Sequence, residues 1–345
     1  MILEHLDSYN PPQAQLNFAI EPFQPSFILR NPHIQTAVSF YFHNPEGVTF
    51  ERHRLDTPNG DFLNIDLAHV TNNDWEKLGK NSPIVLLLHG LGGSSQSAYA
   101  PEFYRQLARV GIRSVGINYR SCGGEINNLP QTYHAGSTDD VALVVNWLRQ
   151  QYPVPVGLIG VSLGAAITLN YLGEAMRDVA AAVTVSTPFD LRASAKLLGT
   201  PGRHFYNRSL ISGLKRSYAR KAEQIGSLVD MDKLMAVENL YEFDNVCTAP
   251  LHGFADAEDY YAQCDPKRHL SSIRTPTLVL RAKDDPFLQP EDIPFATIQQ
   301  NPYLTDGITK HGGHVGFAET LYPITWWAQR QAARFLAACL FGSSL

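Results

Sequence analysis

Over residues 47–70, apolar and polar positions alternate on either side of Thr57-Pro58-Asn59-Gly60. A period of two with a turn signal at its centre predicts an antiparallel hairpin. The pattern changes at Pro83. Ile84–Leu88 is an unbroken apolar run, as expected of a strand covered on both faces. A helical segment follows, with Pro101 near its first turn and Gly111 just past its end, and then a strand over 112–119. Next, Asp139 and Asp140 suit the positive end of a helix dipole, and Val141, Val144, Val145 and Leu148 recur at i, i+3, i+4 and i+7. A strand at 154–161, a helix at 163–175 and a strand at 180–186 continue the series. Strands alternating with helices need crossover connections, which predicts an α/β fold with a mostly parallel central sheet.

The alternation breaks over residues 192–268, which are helix-rich with no strand pattern. It resumes with a strand at 277–280, a helix near 291–300, a strand near 304–309 and a last helix from about Pro323. In that last helix Ile324, Trp327, Ala328 and Phe335 share a face. Residues 1–45 read as irregular, with Pro11, Pro12, Pro22, Pro25 and Pro32 as breakers. The expected division is an N-terminal segment (1–45) packed on an α/β core (46–191 and 269–345). A helical cap (192–268) is inserted over the carboxyl edge of the sheet, where ligands bind in this class.

Composition narrows the function. The 345 residues are 44% hydrophobic, and 28 basic against 33 acidic side chains give a net charge of −5, which argues against whole-surface nucleic-acid binding. The four cysteines form no CxxC pair and read as free thiols of a reducing cytosol. Glu4 and Asp7 stand where a secretory leader carries cations, and no apolar run reaches spanning length. A cytoplasmic protein is expected. The pattern carries no oligomeric signature.

Chemistry enters at Gly160-Val161-Ser162-Leu163-Gly164, a G-x-S-x-G between a strand and a helix opening on Ala165 and Ala166. A nucleophile on so sharp a turn leaves no room for side chains two residues before and after it. It sits over a helix N-terminus whose amides favour developing negative charge. His89-Gly90-Leu91-Gly92-Gly93 follows the strand Ile84–Leu88. It is expected to supply an oxyanion hole from the Leu91 backbone N–H, joined by that of Leu163, with His89 structural. No Lys-Ser/Thr follows, so a phosphate loop is excluded. For the base, His314 lies in a Gly-rich loop after the last core strand, with His311 as rival. For the acid, Asp285 follows a strand and precedes Pro286, with Asp284 as rival. The chain order Ser…Asp…His is that of α/β hydrolases.

Together, Asn31-Pro32-His33-Ile34-Gln35-Thr36, the HGLGG loop, Asn118-Tyr119-Arg120-Ser121-Cys122-Gly123-Gly124-Glu125, GVSLG, DDPF and HGGHVGF resemble the AB hydrolase 4 family of the AB hydrolase superfamily, the YheT-like α/β hydrolases. The resemblance runs from about residue 25 to the C-terminal helix. It implies an α/β-hydrolase fold, a Ser162–Asp285–His314 triad and carboxylic-ester hydrolysis, with lipid esterases and acyltransferases among the relatives. One departure is Ser121-Cys122-Gly123, where relatives tend to carry Gly-Cys-Ser/Gly; that loop reads as structural support.

The expected protein is thus a serine carboxylesterase acting through an acyl-enzyme on small-molecule esters of short to medium chain, without metal or organic cofactor. The alternatives are an acyltransferase, a phospholipase or monoacylglycerol lipase, and a silent scaffold of the same fold. Two segments remain. Arg203, Arg208, Lys215, Arg216, Arg220 and Lys221 form a stretch with no acid until Glu223. It reads as a solvated cap face, with a weak membrane-surface contact as the alternative. The aromatic-rich segment 27–42 reads as packing on the domain, with the lining of an acyl pocket as the alternative.

Overall fold

The computed structural model describes residues 18–42, 45–71, 78–79, 81–174 and 179–341. Ten strands are described: β1 (Val48–Asp56), β2 (Phe62–Val70), β3 (Ile84–Leu88), β4 (Arg113–Asn118), β5 (Val156–Val161), β6 (Ala181–Val185), β7 (Thr277–Ala282), β8 (Leu304–Thr309), β9 (Ala318–Leu321) and β10 (Ile324–Trp326). The first eight form one sheet in the order β1-β2-β4-β3-β5-β6-β7-β8. β1 pairs antiparallel with β2 and β2 antiparallel with β4, while all remaining neighbours are parallel.

The apolar runs explain this layering. All five residues of β3 are buried, and they alternate between two cores. Ile84, Leu86 and Leu88 face helices Thr138–Gln151 and Leu163–Gly173, whereas Val85 and Leu87 face helices Ala100–Arg109 and Trp327–Leu340. A strand covered on both sides gains from being apolar at every position. Between β6 and β7 the chain is helical from Leu191 to Arg268 and holds a smaller core of its own around Ile211, Leu214, Phe243 and Leu251.

Three expectations need correction. Residues 32–41 are not irregular: helix Pro32–Tyr41 is capped by the Asn31 side chain, which accepts from the amides of His33 and Ile34. Pro32 occupies its first position, where proline starts a helix instead of breaking one. Pro11 and Pro12 lie outside the described residues. The last helix begins at Trp327, because β9 and β10 form a hairpin around Tyr322-Pro323 and place Ile324 in a strand. The helix expected near 291–300 covers Phe295–Gln300 alone, preceded by a 3-10 turn at Pro290–Asp292 and Pro294. No described helix is long and apolar enough to cross a membrane.

Candidate active site

Ser162 stands at the end of β5, with φ +54° and ψ −117°. A side-chain-bearing residue in the left-handed region is strained. Its amide donates to Val185 O at 2.8 Å, which fastens the turn to β6. A Cβ on Gly160 would collide with Thr168 Oγ1 and Gly164 O, and one on Gly164 would collide with Leu88 O. Both glycines are therefore demanded by backbone approach.

His314 Nε2 lies 3.0 Å from Ser162 Oγ, and His314 Nδ1 lies 2.8 Å from Asp285 Oδ2. Asp285 is buried and also accepts from the Phe287 amide at 2.8 Å. A carboxylate facing Nδ1 favours a proton there and turns the Nε2 lone pair to the serine hydroxyl. The Phe287 ring stacks on the imidazole with centroids 4.3 Å apart. The two rivals pair with each other instead. His311 Nδ1 is 3.1 Å from Asp284 Oδ2, and Asp284 Oδ1 accepts from Gly313 N at 3.0 Å. Burial pushes the Asp284 carboxyl above its ordinary value, and the Gly313 amide opposes that. This second pair braces the loop that carries His314.

The loop is held from the N-terminal side by groups that motif reading passed over. His314 N donates to Thr36 Oγ1 at 2.9 Å, and Val315 N donates to Ser186 Oγ at 3.0 Å. Gln35, fully buried, donates to Leu29 O and Ala318 O and accepts from Ala318 N. The resemblance motif at residues 31–36 thus becomes a cap (Asn31), a helix start (Pro32) and two clamps (Gln35, Thr36).

Leu91 lies one residue past Gly90, whose absent Cβ would sit 3.2 Å from Ser162 Cβ. Among the described hydrogen bonds, neither the Leu91 nor the Leu163 amide donates to a protein group. His89 is buried beside them. Its Nδ1 is 2.7 Å from Gly90 O, and its Nε2 accepts from Tyr119 N at 3.3 Å. Burial holds its pKa down at about 4, so at neutral pH the ring is uncharged.

Ser162 and His314 open on a cavity of about 520 Å³, walled on one side by the helical block and on the other by the sheet edge. Phe40, Tyr41 and Phe205 lie on its wall while remaining largely exposed. The C-terminal end of segment 27–42 thus lines the cavity, which the packing expectation did not include. Part of the basic stretch is engaged internally. Lys221 is buried and donates to Ser121 Oγ, Asn127 Oδ1 and Gln131 O; Arg203 donates to Pro286 O and Arg220 to Gly124 O. Arg203, Arg220 and Lys221 thus tie the helical block to the core, while Arg208, Arg216 and Arg220 are exposed, as a solvated face would have them. Ser121 takes φ +62°, a conformation that suits the glycine of the resembling family. Here the side chain is tied down instead, by Asn127 and Lys221. Among the described residues no three His, Cys, Asp or Glu side chains converge as a metal site.

Residues 83–320 match the family model described as alpha/beta hydrolase fold. YheT of Escherichia coli (strain K12) is 36% identical over 313 residues, covering 87% of this chain and 88% of that protein. Human phospholipase ABHD3 is 30% identical, over 84% of this chain and 72% of its own length. The monoacylglycerol lipase of Saccharomyces cerevisiae is 33% identical over 74% of this chain and 59% of its own. Among solved structures, the Pyrococcus furiosus esterase Pf2001 superposes with a TM-score of 0.56 at 17% identity, covering 93% of this chain and all of that one. At that identity the likeness speaks to the fold alone.

Proposed function

This chain belongs to the α/β-hydrolase family, within its YheT-like branch, and on that footing we propose that it is a serine carboxylic-ester hydrolase with Ser162 as nucleophile. The observation that carries this reading is the continuous hydrogen-bonded line from Asp285 through His314 to Ser162, ending at a cavity beside two unengaged amides. Ser162 Oγ attacks the ester carbonyl carbon while His314 Nε2 takes its proton. Asp285 holds the imidazole tautomer and stabilises the imidazolium. The Leu91 and Leu163 amides receive the oxyanion, a contribution of about 2.7–4 kcal/mol for each donor. His314 then hands its proton to the departing alkoxide oxygen. Water gives a proton to the same nitrogen and attacks the acyl-enzyme; the adduct collapses to the acid, and His314 returns that proton to Ser162 Oγ.

The reading needs no metal or organic cofactor. The helical block over the cavity acts as a cap, and its closeness to Ser162 supports small, short- to medium-chain esters. Relatives named for phospholipase and monoacylglycerol lipase activity support a lipid-derived ester. Phe40, Tyr41 and Phe205 at the mouth favour a weak lipid-surface contact, with the protein otherwise working in the cytoplasm. The experiment is turnover of a nitrophenyl butyrate ester by wild type and Ser162→Ala, with circular dichroism on both. The reading expects a folded variant with no measurable turnover, and more than a few per cent of residual activity would overturn it. Repeating the assay with glycerol present separates acyl transfer to an alcohol from hydrolysis by its products.

A further inference from the structure

The cavity wall away from the Ser162–His314 line is not uniformly apolar. Asp244 borders it and opens a π-helical turn, Asp244–Thr248, a rare element that tends to mark functional sites. Asp244 as a residue is only 7% exposed. Two hydroxyls donate to it, Thr248 Oγ1 at 2.6 Å and Tyr261 OH at 2.7 Å. Among the described residues no Lys, Arg or His forms an ion pair with it. Buried carboxylates are ordinarily matched by a cation, because hydroxyl donors alone do not offset the loss of water around a full charge.

The surroundings supply the other half of a recognition site. Phe243, Tyr218, Tyr260 and Tyr261 border the same cavity, with ring centroids 5.0 Å apart for Tyr218–Phe243 and 5.1 Å for Tyr260–Tyr261. Aromatic faces around a carboxylate attract ammonium groups, quaternary ones included, since the ring quadrupole and the charge act together. A hydrocarbon chain end in this position would desolvate Asp244 further and gain nothing from it.

We propose that this part of the cavity is a subsite for a positively charged, ammonium-type group carried by the ester substrate, and that Asp244 is the residue that selects for it. The proposal rests on the reading of Ser162 as nucleophile and goes beyond it by naming the charge of the substrate. The carboxylate supplied by the protein and the cation supplied by the substrate complete one ion pair inside the aromatic wall. The subsite makes no covalent bond and moves no proton.

The test uses pairs of nitrophenyl esters that differ in one atom. The acyl group ends in trimethylammonium in one member and in its carbon isostere, tert-butyl, in the other. A second pair places the same two groups on the alcohol side. Rates are corrected for spontaneous hydrolysis, and the readout is the ratio of kcat/KM, cationic over neutral, for wild type and Asp244→Asn. In at least one pair the wild-type ratio is expected to be tenfold or more, falling to near one in the variant. A wild-type ratio of one or less in both pairs overturns the subsite, as does an unchanged ratio in Asp244→Asn. Equal preference for a hydroxyl-terminated isostere overturns the assignment of charge. If the variant fails to fold, inhibition of wild type by tetramethylammonium decides, with tert-butanol as the neutral control; equal or absent inhibition by the two overturns the proposal. Labelling of Ser162 by an uncharged fluorophosphonate is run in parallel. Absence of labelling in wild type would sink the nucleophile reading, whereas normal labelling with no charge preference sinks the subsite alone.

Discussion

The backbone amide of His314 donates to the hydroxyl of Thr36 at 2.9 Å, and Thr36 in turn donates to Pro32 O at 2.8 Å. Two residues 278 positions apart in the chain are thereby fixed to one another. The orientation of the proposed base is set in part by helix Pro32–Tyr41. Thr36→Val would leave a buried amide without an acceptor, at a cost of about 1–3 kcal/mol. If that cost is spent on displacing the loop, kcat falls by about tenfold or more while KM changes little, each 1.4 kcal/mol being about a factor of ten. Thr36→Ser restores the acceptor and should restore kcat. Steady-state kinetics on the two variants checks this, and a Thr36→Val enzyme with wild-type kcat would refute it.

The two His–Asp pairs that join the loops after β7 and β8 separate cleanly by distance. Only His314 reaches Ser162 Oγ, while His311 is engaged with Asp284. His314→Ala is expected to lower kcat about as far as Ser162→Ala does, by about 10³-fold or more, because members of a catalytic unit are not additive. His311→Ala should lose far less, through a looser loop. Exchange of these two effects in a kinetic assay would place the base on His311.

Burial depresses His89 to about 4, below the ordinary imidazole value near 6.5, and the sign of its effect on stability follows. Between those two values the unfolded chain binds a proton at this residue and the folded chain does not. Stability contributed by neutral His89 is therefore present above about pH 6.5 and is lost as pH falls toward 4. One such group gives a slope of about 1.4 kcal/mol per pH unit in that window. Denaturant unfolding of wild type and His89→Asn from pH 7 to pH 4 should show a stability difference that shrinks on acidification. A difference constant with pH would contradict the buried neutral ring.

The cavity of about 520 Å³ falls within the range of about 300–1,000 Å³ common for small-molecule sites. Each buried CH₂ contributes about 0.8 kcal/mol, so kcat/KM should rise with acyl length until the cavity is filled and then drop. Eight-carbon nitrophenyl esters are expected to outperform both four- and sixteen-carbon ones. A clear preference for sixteen carbons, or strong activation by phosphatidylglycerol vesicles, would reassign the enzyme to long-chain lipid at a membrane surface.

Much of this architecture was legible in the sequence because each element is consistent with its neighbours. The run Ile84–Leu88 reads as a strand covered on both sides, and Gly160 and Gly164 mark a turn at which backbones approach too closely for a side chain. Ser162, Asp285 and His314 each lie in the turn or loop that follows a core strand, and the structure brings them together. The helix Pro32–Tyr41 escaped because Asn-Pro is both a turn signal and a helix start, and only the Asn31 cap bonds distinguish the two. The proline-centred hairpin of β9 and β10 escaped because its apolar residues fit a helical face equally well. Lys221 and Asp244 were invisible for a different reason. Burial of a single charge leaves no period in the sequence, and neither the distant partners of Lys221 nor the Thr248 and Tyr261 hydroxyls beside Asp244 form a motif.

Everything proposed for this site turns on Ser162 forming the covalent intermediate. Incubation with a fluorophosphonate probe, followed by intact mass and peptide mapping, tests it directly. A single adduct is expected on the peptide that contains Ser162, absent in Ser162→Ala and strongly slowed in His314→Ala. An unmodified wild-type protein, or an adduct carried by any other residue, would contradict it.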